Sequence, residues 1–229
     1  MLIEDMALAA RSARAASARS QREGRPMHIS EGVLSGPVLL TGGALAAAGT
    51  AIGLKKLDYD HIARAGLLSS AFFVASLIHV PIGPSSVHLI LNGIVGLMLG
   101  WGAFPAILVA LLLQGVLFQF GGLTTLGVNT MIMAGPAVAC YYLFGHLVQR
   151  RRGIALAAAF ACGFTSILLA AVVAGAALMF TEENFLEVTL LIITAHIPVM
   201  VIEGVITVFC VVFFRRVQPD LRPGAAAVR

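Results

Sequence analysis

The chain has 229 residues, of which 59% are hydrophobic and 11% are charged. Soluble globular proteins carry about a quarter charged residues, so this composition excludes a soluble fold and predicts an integral membrane protein. A span needs about 20 apolar residues to cross a hydrocarbon core of roughly 30 Å, which leaves room for about six or seven spans.

Residues 1–26 differ from the rest of the chain. They carry five arginines, at positions 11, 14, 19, 22 and 25, and their longest apolar stretch is 6–10. That stretch is too short for the apolar region of a secretory signal. We interpret 1–26 as an extension outside the core domain, with Met27 as the physiological start. The alternatives are a genuine cytoplasmic arm and a segment removed by processing.

The rest of the chain divides into apolar runs separated by sharp breaks. No alternating pattern of a transmembrane barrel is present, and backbone groups inside lipid must be paired within each segment, so the sequence predicts an all-α, polytopic helical bundle. The predicted spans are 35–54, 65–80, 88–103, 104–120, 131–147, 154–180 and 188–214. Between them lie a charged connection at 55–64, turn residues at 81–86, a tight corner at 101–105 and a Gly-rich connection at 121–130.

Basic residues follow the first, fifth and seventh predicted spans, at Lys55, Lys56, Arg64, Arg150, Arg151, Arg152, Arg215 and Arg216. With seven spans, all of them lie on one side of the membrane. The positive-inside rule makes that side cytoplasmic, so 81–87, 121–130 and 181–187 face outward. The core domain is then 27–217, and 218–229 form a cytoplasmic tail.

A chain that begins at Met27 has a histidine, His28, in second place. The terminal amine, the amide of His28 and its imidazole then close two fused chelate rings around one ion. Three coplanar nitrogens suit Ni(II), Cu(II) or Co(II), and a fourth ligand must come from elsewhere. The candidates are His61, His79, His88, His146 and His196. His88 closes an outer connection and can reach the N-terminus, although each histidine also has a plain structural interpretation as a hydrogen-bonding group.

Four segments in order carry a resemblance: MHISEGVL at 27–34, PIGPSSVHL at 81–89, GGLTTLGVN at 121–129 and HIPVMVIEG at 196–204. Together they resemble the CbiM/NikM family, the substrate-capture subunits of energy-coupling-factor transporters for cobalt and nickel. The resemblance implies that Met27, His28 and His88 hold the metal. The 26 residues before Met27 depart from the family pattern, because they remove its free amine.

The resemblance also implies a function and partners. The chain would capture Co(II), or alternatively Ni(II), as transported ligand rather than cofactor, and cobalt would supply cobalamin synthesis. The implied partners are a CbiQ-type coupling protein, CbiO-type ATPases and a small CbiN-type membrane subunit. The phosphate-binding motif G-x-x-x-x-G-K-[ST] does not occur in the sequence, so ATP hydrolysis by that route requires a partner.

Several polar residues are candidates to support the site. Asn129, in the outer Gly-rich connection, can orient a histidine or simply cap the loop. Ser86 and His79 are further candidates for this supporting role. His196 and Glu203 lie seven residues apart on one face of the last span, where they predict an intramembrane polar pair or hydrogen bonds to a neighbouring helix.

Small residues spaced by four, Gly43, Ala47 and Ala51, predict close helix packing in the first span. That packing is either internal or, as the resemblance implies, made with the coupling protein. Cys140, Cys162 and Cys210 lie in apolar spans without C-x-x-C spacing, which argues against a disulfide framework or a thiolate site.

Two other classes of function remain as alternatives. An intramembrane hydrolase would use Ser85, Ser86 or Ser166 with a histidine base, but no G-x-S-x-G motif is present. A stand-alone secondary transporter would show inverted repeats with broken helix pairs, which are not evident. Neither class accounts for the four ordered segments.

Overall fold

The computed structural model describes residues 29, 31–82, 85–180 and 185–217, with backbone alone at 59–61, 79–82, 85–87, 185–188 and 191. Helices dominate this part of the chain, and one β-hairpin interrupts them. In chain order the elements are α1 (Gly36–Lys56), α2 (Tyr59–Ala75), β1 (His79–Ile82), β2 (Ser85–His88), α3 (Asn92–Leu99), a 3₁₀ turn (Gly100–Gly102), α4 (Ala103–Phe118), α5 (Leu126–Phe144), α6 (Arg152–Met179) and α7 (Phe185–Val217).

Five helical stretches in the described residues are long and apolar enough to cross a membrane. They are Gly36–Lys56, Asn92–Phe118, Leu126–Phe144, Arg152–Met179 and Ile192–Val217, and a shorter apolar helix covers Ile62–Ala75. The predicted polytopic helical bundle is therefore confirmed, and the chain is a multi-pass membrane protein.

The stretch Asn92–Phe118 is not one straight helix. Gly100, with φ of 54°, ends α3, and the short 3₁₀ turn leads into α4. On α3, Gly96 lies against Ala137 and Gly100 against Tyr141, so α3 runs in the same direction as α5. A corner close to the predicted one at 101–105 therefore exists, but α3 has eight residues and is only about 12 Å long.

Helix α4 runs back from this corner alongside α2. The hydroxyl of Ser69 donates to the carbonyl of Ala106 at 2.7 Å, and about two turns further on the amide of Gln114 donates to the hydroxyl of Ser76 at 2.8 Å. Because the pairs advance in the same direction on both helices, α2 and α4 are parallel. Helix α3 thus runs for about 12 Å in the direction of α5, and α4 runs back in the opposite direction alongside α2.

The hairpin between α2 and α3 was not predicted. The predicted spans end at residue 80 and resume at 88, whereas the backbone of 79–82 and 85–88 forms two antiparallel strands with His79 opposite His88. Val80, Ile82 and Val87 are β-branched and favour strands, and Pro81 is tolerated in a two-stranded hairpin where it need not donate. Apolarity alone does not separate such strands from helix.

The basic residues gather at one end of the bundle, which we call the basic end. Arg215, at the end of α7, donates to the carbonyls of Val148 at 3.5 Å and Arg150 at 3.2 Å. Lys56, at the end of α1, lies 5.9 Å from the ring centre of Trp101. The indole of Trp101 in turn donates to the Tyr142 hydroxyl at 2.8 Å, close to the end of α5. The predicted clustering of these basic connections is therefore observed.

Helix α1 lies at the edge of the bundle, with 17% of its most apolar window buried. Its inner face is made of small residues: a Cβ added at Gly42 would lie 2.5 Å from Val128, and one at Gly49 would lie 2.5 Å from the ring of Phe104. Of the residues predicted to form a docking face, Ala47 and Ala51 are exposed. Gly43 instead faces Gly127 of α5 across a close backbone contact.

Candidate metal centre

The start of the described chain is held at the beginning of α5 by Asn129. The side-chain oxygen of Asn129 accepts from the N–H of Ile29 at 3.0 Å, and its amide nitrogen donates to the carbonyl of Ile29 at 3.1 Å. The same nitrogen donates to the hydroxyl of Thr125 at 3.2 Å. An asparagine amide offers one donor group and one acceptor on the same face, so it pairs with a peptide as a neighbouring strand would. Asn129 thus fixes the backbone of the residue that follows His28.

Glu31 makes a second contact between the same two segments. Its carboxylate accepts from the N–H of Thr124 at 3.3 Å, just before α5 begins. Gly122 leaves the space for this side chain, since a Cβ there would overlap it. Ile29 and Leu34 are buried in the main hydrophobic core. Residues 29 and 31–34 therefore pack on the connection before α5, at the end of the bundle opposite the basic end.

His88 is the last residue of β2 and is 5% exposed. Its Nδ1 lies 3.1 Å from the carbonyl oxygen of Leu89. Since a carbonyl oxygen only accepts, Nδ1 carries a proton, and in the neutral ring the lone pair then lies on Nε2. A neutral imidazole with one nitrogen held in this way has the form in which histidines bind transition metals.

The chain after His88 passes over Glu203 of α7. The carboxylate of Glu203 accepts from the N–H groups of Ile90 and Leu91, with distances of 3.0 and 3.1 Å to Leu91. Glu203 is completely buried, so these donors satisfy a group that would be costly to bury alone. The glutamate therefore bonds to backbone on a neighbouring segment, one of the two interpretations open from the sequence.

His196 is also buried, and its Nδ1 donates to the carbonyl of Ile192, one turn earlier in α7, at 2.7 Å. The hydrogen bonds described for His196 and Glu203 thus run to different partners. A direct polar pair between them stays a prediction.

The other predicted site residues lie partly or wholly beyond what the structure describes. Met27 and His28, like the whole extension 1–26, are outside the described residues, and so are the side chains of His79 and Ser86. Backbone register alone places His79 opposite His88 and Ser86 opposite Pro81. Among the described residues, no three His, Cys, Asp or Glu side chains converge in a manner suited to one ion.

Two buried polar side chains inside apolar helices were not singled out from the sequence. Asn92, the first residue of α3, lies 3.5 Å from the carbonyls of both Met133 and Ser166, and Gln114 reaches Ser76 between α4 and α2. Both are completely buried. Their presence inside apolar spans was the available signal, because intramembrane polar groups are costly and usually have a partner.

Comparison with known proteins identifies relatives of this chain. The model of the family described as CbiM, cobalt uptake substrate-specific transmembrane region, matches residues 28–221. The chain is 42% identical to a putative metal transport protein of Haemophilus influenzae over 198 residues, covering 85% of this chain and 96% of the relative. It is 35% identical to the fused nickel transport protein NikMN of Rhodobacter capsulatus, covering 69% of this chain and 49% of that protein.

A solved structure shares the fold. The crystal structure of a truncated transition metal transporter superposes with a TM-score of 0.64 at 26% identity, over 82% of this chain and 97% of the other. The agreement spans the bundle and not an isolated helix pair. The sequence match, the shared fold and the helical membrane architecture together show that this chain belongs to the CbiM family of cobalt and nickel transport proteins.

Proposed function

We propose that the chain is the substrate-binding membrane subunit of an ATP-driven, energy-coupling-factor importer of Co(II). The metal is held by the amine of Met27, the amide and imidazole nitrogens of His28, and the imidazole of His88. The observation that carries this proposal is the double hydrogen bond between Asn129 and Ile29, because it fixes the residue directly after His28 in a buried position. The state of His88, with Nδ1 held by Leu89, supports Nε2 as the fourth donor.

The proposed coordination requires Met27 to be the first residue of the functional chain. A peptide bond to residue 26 would convert the amine into an amide, and one of the four nitrogens would be lost. Residues 1–26 are then an extension that the working protein lacks.

The site faces outward in this proposal, across the cytoplasmic membrane of a prokaryote. Support comes from the basic end, which lies opposite the Asn129–Ile29 contact and which the positive-inside rule assigns to the cytoplasm. Metal would enter from outside, and energy would come from CbiO-type ATPases through a CbiQ-type coupling protein. The exposed Ala47 and Ala51 of α1 offer that coupling protein a face of small residues.

A CbiN-type small membrane subunit completes the proposed complex. The relative described as the fused nickel transport protein NikMN, 49% of which this chain covers, supports a partner of this type. Cobalt captured in this way would supply cobalamin synthesis. The alternative is that the transported ion is Ni(II), for nickel enzymes. The name of that relative favours nickel, and the same nitrogen donors also bind Ni(II).

The test is the first residue of the protein from its native host, measured by intact mass or Edman sequencing, together with its metal content. A chain that begins at Met27 and carries one cobalt or nickel is the expected result. A purified chain starting at Met27 whose amine has been acetylated should lose the metal, while acetylation of lysines alone should not. Equal metal binding by a chain that retains Met1 would contradict the coordination.

A further inference from the structure

Glu203 lies in the middle of α7, where the backbone of this helix is closely packed against α6. Gly163 of α6 packs so closely that a Cβ there would lie 2.5 Å from the carbonyl oxygen of Glu203 and 2.5 Å from the hydroxyl of Thr207. That hydroxyl donates to the carbonyl of Glu203 at 2.7 Å. The position of the buried carboxylate is therefore set by the α6–α7 contact.

The carboxylate of Glu203 lies at the N-terminal end of α3, where it accepts from the two residues that precede the helix. The first N–H groups of a helix lack partners within it and lie at the positive end of its dipole. Leu91, the residue before α3, has a left-handed φ of 60° and gives the helix no side-chain cap. The N–H groups of Ile90 and Leu91 point instead to Glu203, which is more than 110 residues away in sequence.

The segment that Glu203 holds begins two residues after His88. On the hairpin side, the N–H of Leu89 donates to the carbonyl of Ile78 at 3.2 Å, and the carbonyl of Leu89 receives Nδ1 of His88. On the α3 side, Ile90 and Leu91 are held by Glu203. Four successive residues thus have their backbone or ring fixed, and Glu203 is the contact that ties them to α7.

We propose that Glu203 is a positioning residue for the metal ligand His88. By accepting hydrogen bonds from the N–H groups of Ile90 and Leu91, it fixes the orientation of the His88 ring and couples that orientation to the position of α7. The inference rests on the proposed function, in which His88 binds the metal.

The experiment compares Glu203→Leu and Glu203→Gln in the purified full subunit, with Co(II) and Ni(II) as probes. Glu203→Leu removes both acceptors and should weaken metal binding about tenfold or more, with a changed absorption spectrum of the bound metal. Glu203→Gln keeps one oxygen for Ile90 but turns an NH₂ group toward the N–H of Leu91, so its affinity should fall by less. If Glu203→Leu does not fold, the affinity and spectrum of Glu203→Gln test the positioning role instead.

Thr207→Val is the matched control on the same helix. It removes a buried hydrogen bond to the carbonyl of Glu203 without touching 88–91. It should lower thermal stability while metal affinity and spectrum stay unchanged. Equal losses of affinity in Thr207→Val and Glu203→Gln would show a general loosening of α7 and would overturn the positioning role.

A double-mutant cycle with His88→Ala separates this inference from the proposed function. Because Glu203 acts through His88, Glu203→Gln should cause no further loss of affinity in the His88→Ala background. Two results would overturn the positioning role and leave the proposed function intact. One is full additivity of the two affinity losses in the double variant. The other is wild-type affinity in both Glu203 variants while His88→Ala alone weakens binding. Wild-type affinity in His88→Ala itself would overturn both.

Discussion

Asn129 and Ile29 are joined by two hydrogen bonds, one in each direction, although they are 100 residues apart in sequence. The contact attaches Ile29 to the first turn of α5. It fixes a stretch of backbone that would otherwise sample more conformations.

Replacing Asn129 should therefore disturb both stability and metal binding. Asn129→Ala leaves the buried N–H and carbonyl of Ile29 without partners, at a cost of about 1–3 kcal/mol for such a group. Metal affinity should fall about tenfold or more, since the segment after His28 is no longer fixed. Thermal unfolding in detergent and metal titration measure the two effects.

Thr125→Val serves as the control for Asn129, because Thr125 bonds to the same amide nitrogen but not to Ile29. It should retain most of the affinity. A variant Asn129→Ala with unchanged metal binding would show that the contact serves folding alone.

The inner face of α1 should tolerate no additional volume. Gly49→Ala puts a methyl group within about 2.5 Å of the Phe104 ring, and overpacking of this kind typically costs about 1–3 kcal/mol. Gly43→Ala, on the same helix, meets open space at its own Cβ and should leave the isolated subunit as stable as the wild type. Thermal unfolding of the two variants measures the difference, and equal stability would show that Phe104 can move aside.

The outer face of α1 should matter only in the complex. Ala51→Leu, and likewise Ala47→Leu, places bulk on an exposed surface and should leave metal affinity and subunit stability unchanged. Co-purification with the CbiQ-type coupling protein should decrease, because small residues allow the helices to approach. Val172→Leu, at an exposed position of α6, is the control and should not affect co-purification. Undiminished complex formation by both alanine variants would exclude this face as the docking surface.

Gln114 and Ser76 should show an energetic coupling across α4 and α2. Gln114→Leu and Ser76→Ala each break the buried 2.8 Å hydrogen bond, and the double variant should be less destabilised than the sum of the two. The expected interaction energy is about 0.5–1.5 kcal/mol, the net contribution of a typical hydrogen bond. Metal affinity serves as the control and should remain at the wild-type value. Strict additivity in unfolding measurements would contradict the coupling.

The sequence was sufficient for the features that depend on composition and local order. Long apolar runs predicted the bundle, and the positions of Lys56 and Arg215 predicted a common basic end, because both depend on residue types within short segments. The ordered segments around His88 and Asn129 predicted the family, which the comparisons confirm.

The sequence was not sufficient where distant contacts decide the structure. The hairpin at 79–88 was marked in the sequence only by its turn residues, because its two strands have four residues each, too few for a periodic pattern to distinguish them from the ends of helices. Glu203 finds its partners, Ile90 and Leu91, more than 110 residues away on backbone groups, which leave no signature in residue type. The same holds for the pairing of Asn129 with the backbone of Ile29.

The attachment of Ile29 to α5 has a consequence for the length of the chain ahead of it. Each residue added before a fixed point moves the end of the chain by up to about 3.3–3.6 Å. A metal–nitrogen bond is about 2 Å long and tolerates deviations of about 0.2 Å. Under the proposed coordination, the terminal amine can therefore reach the metal only in a chain that has two residues before Ile29. Choice of the start codon, or the protease that trims the chain, would then decide whether the protein can bind its ion at all.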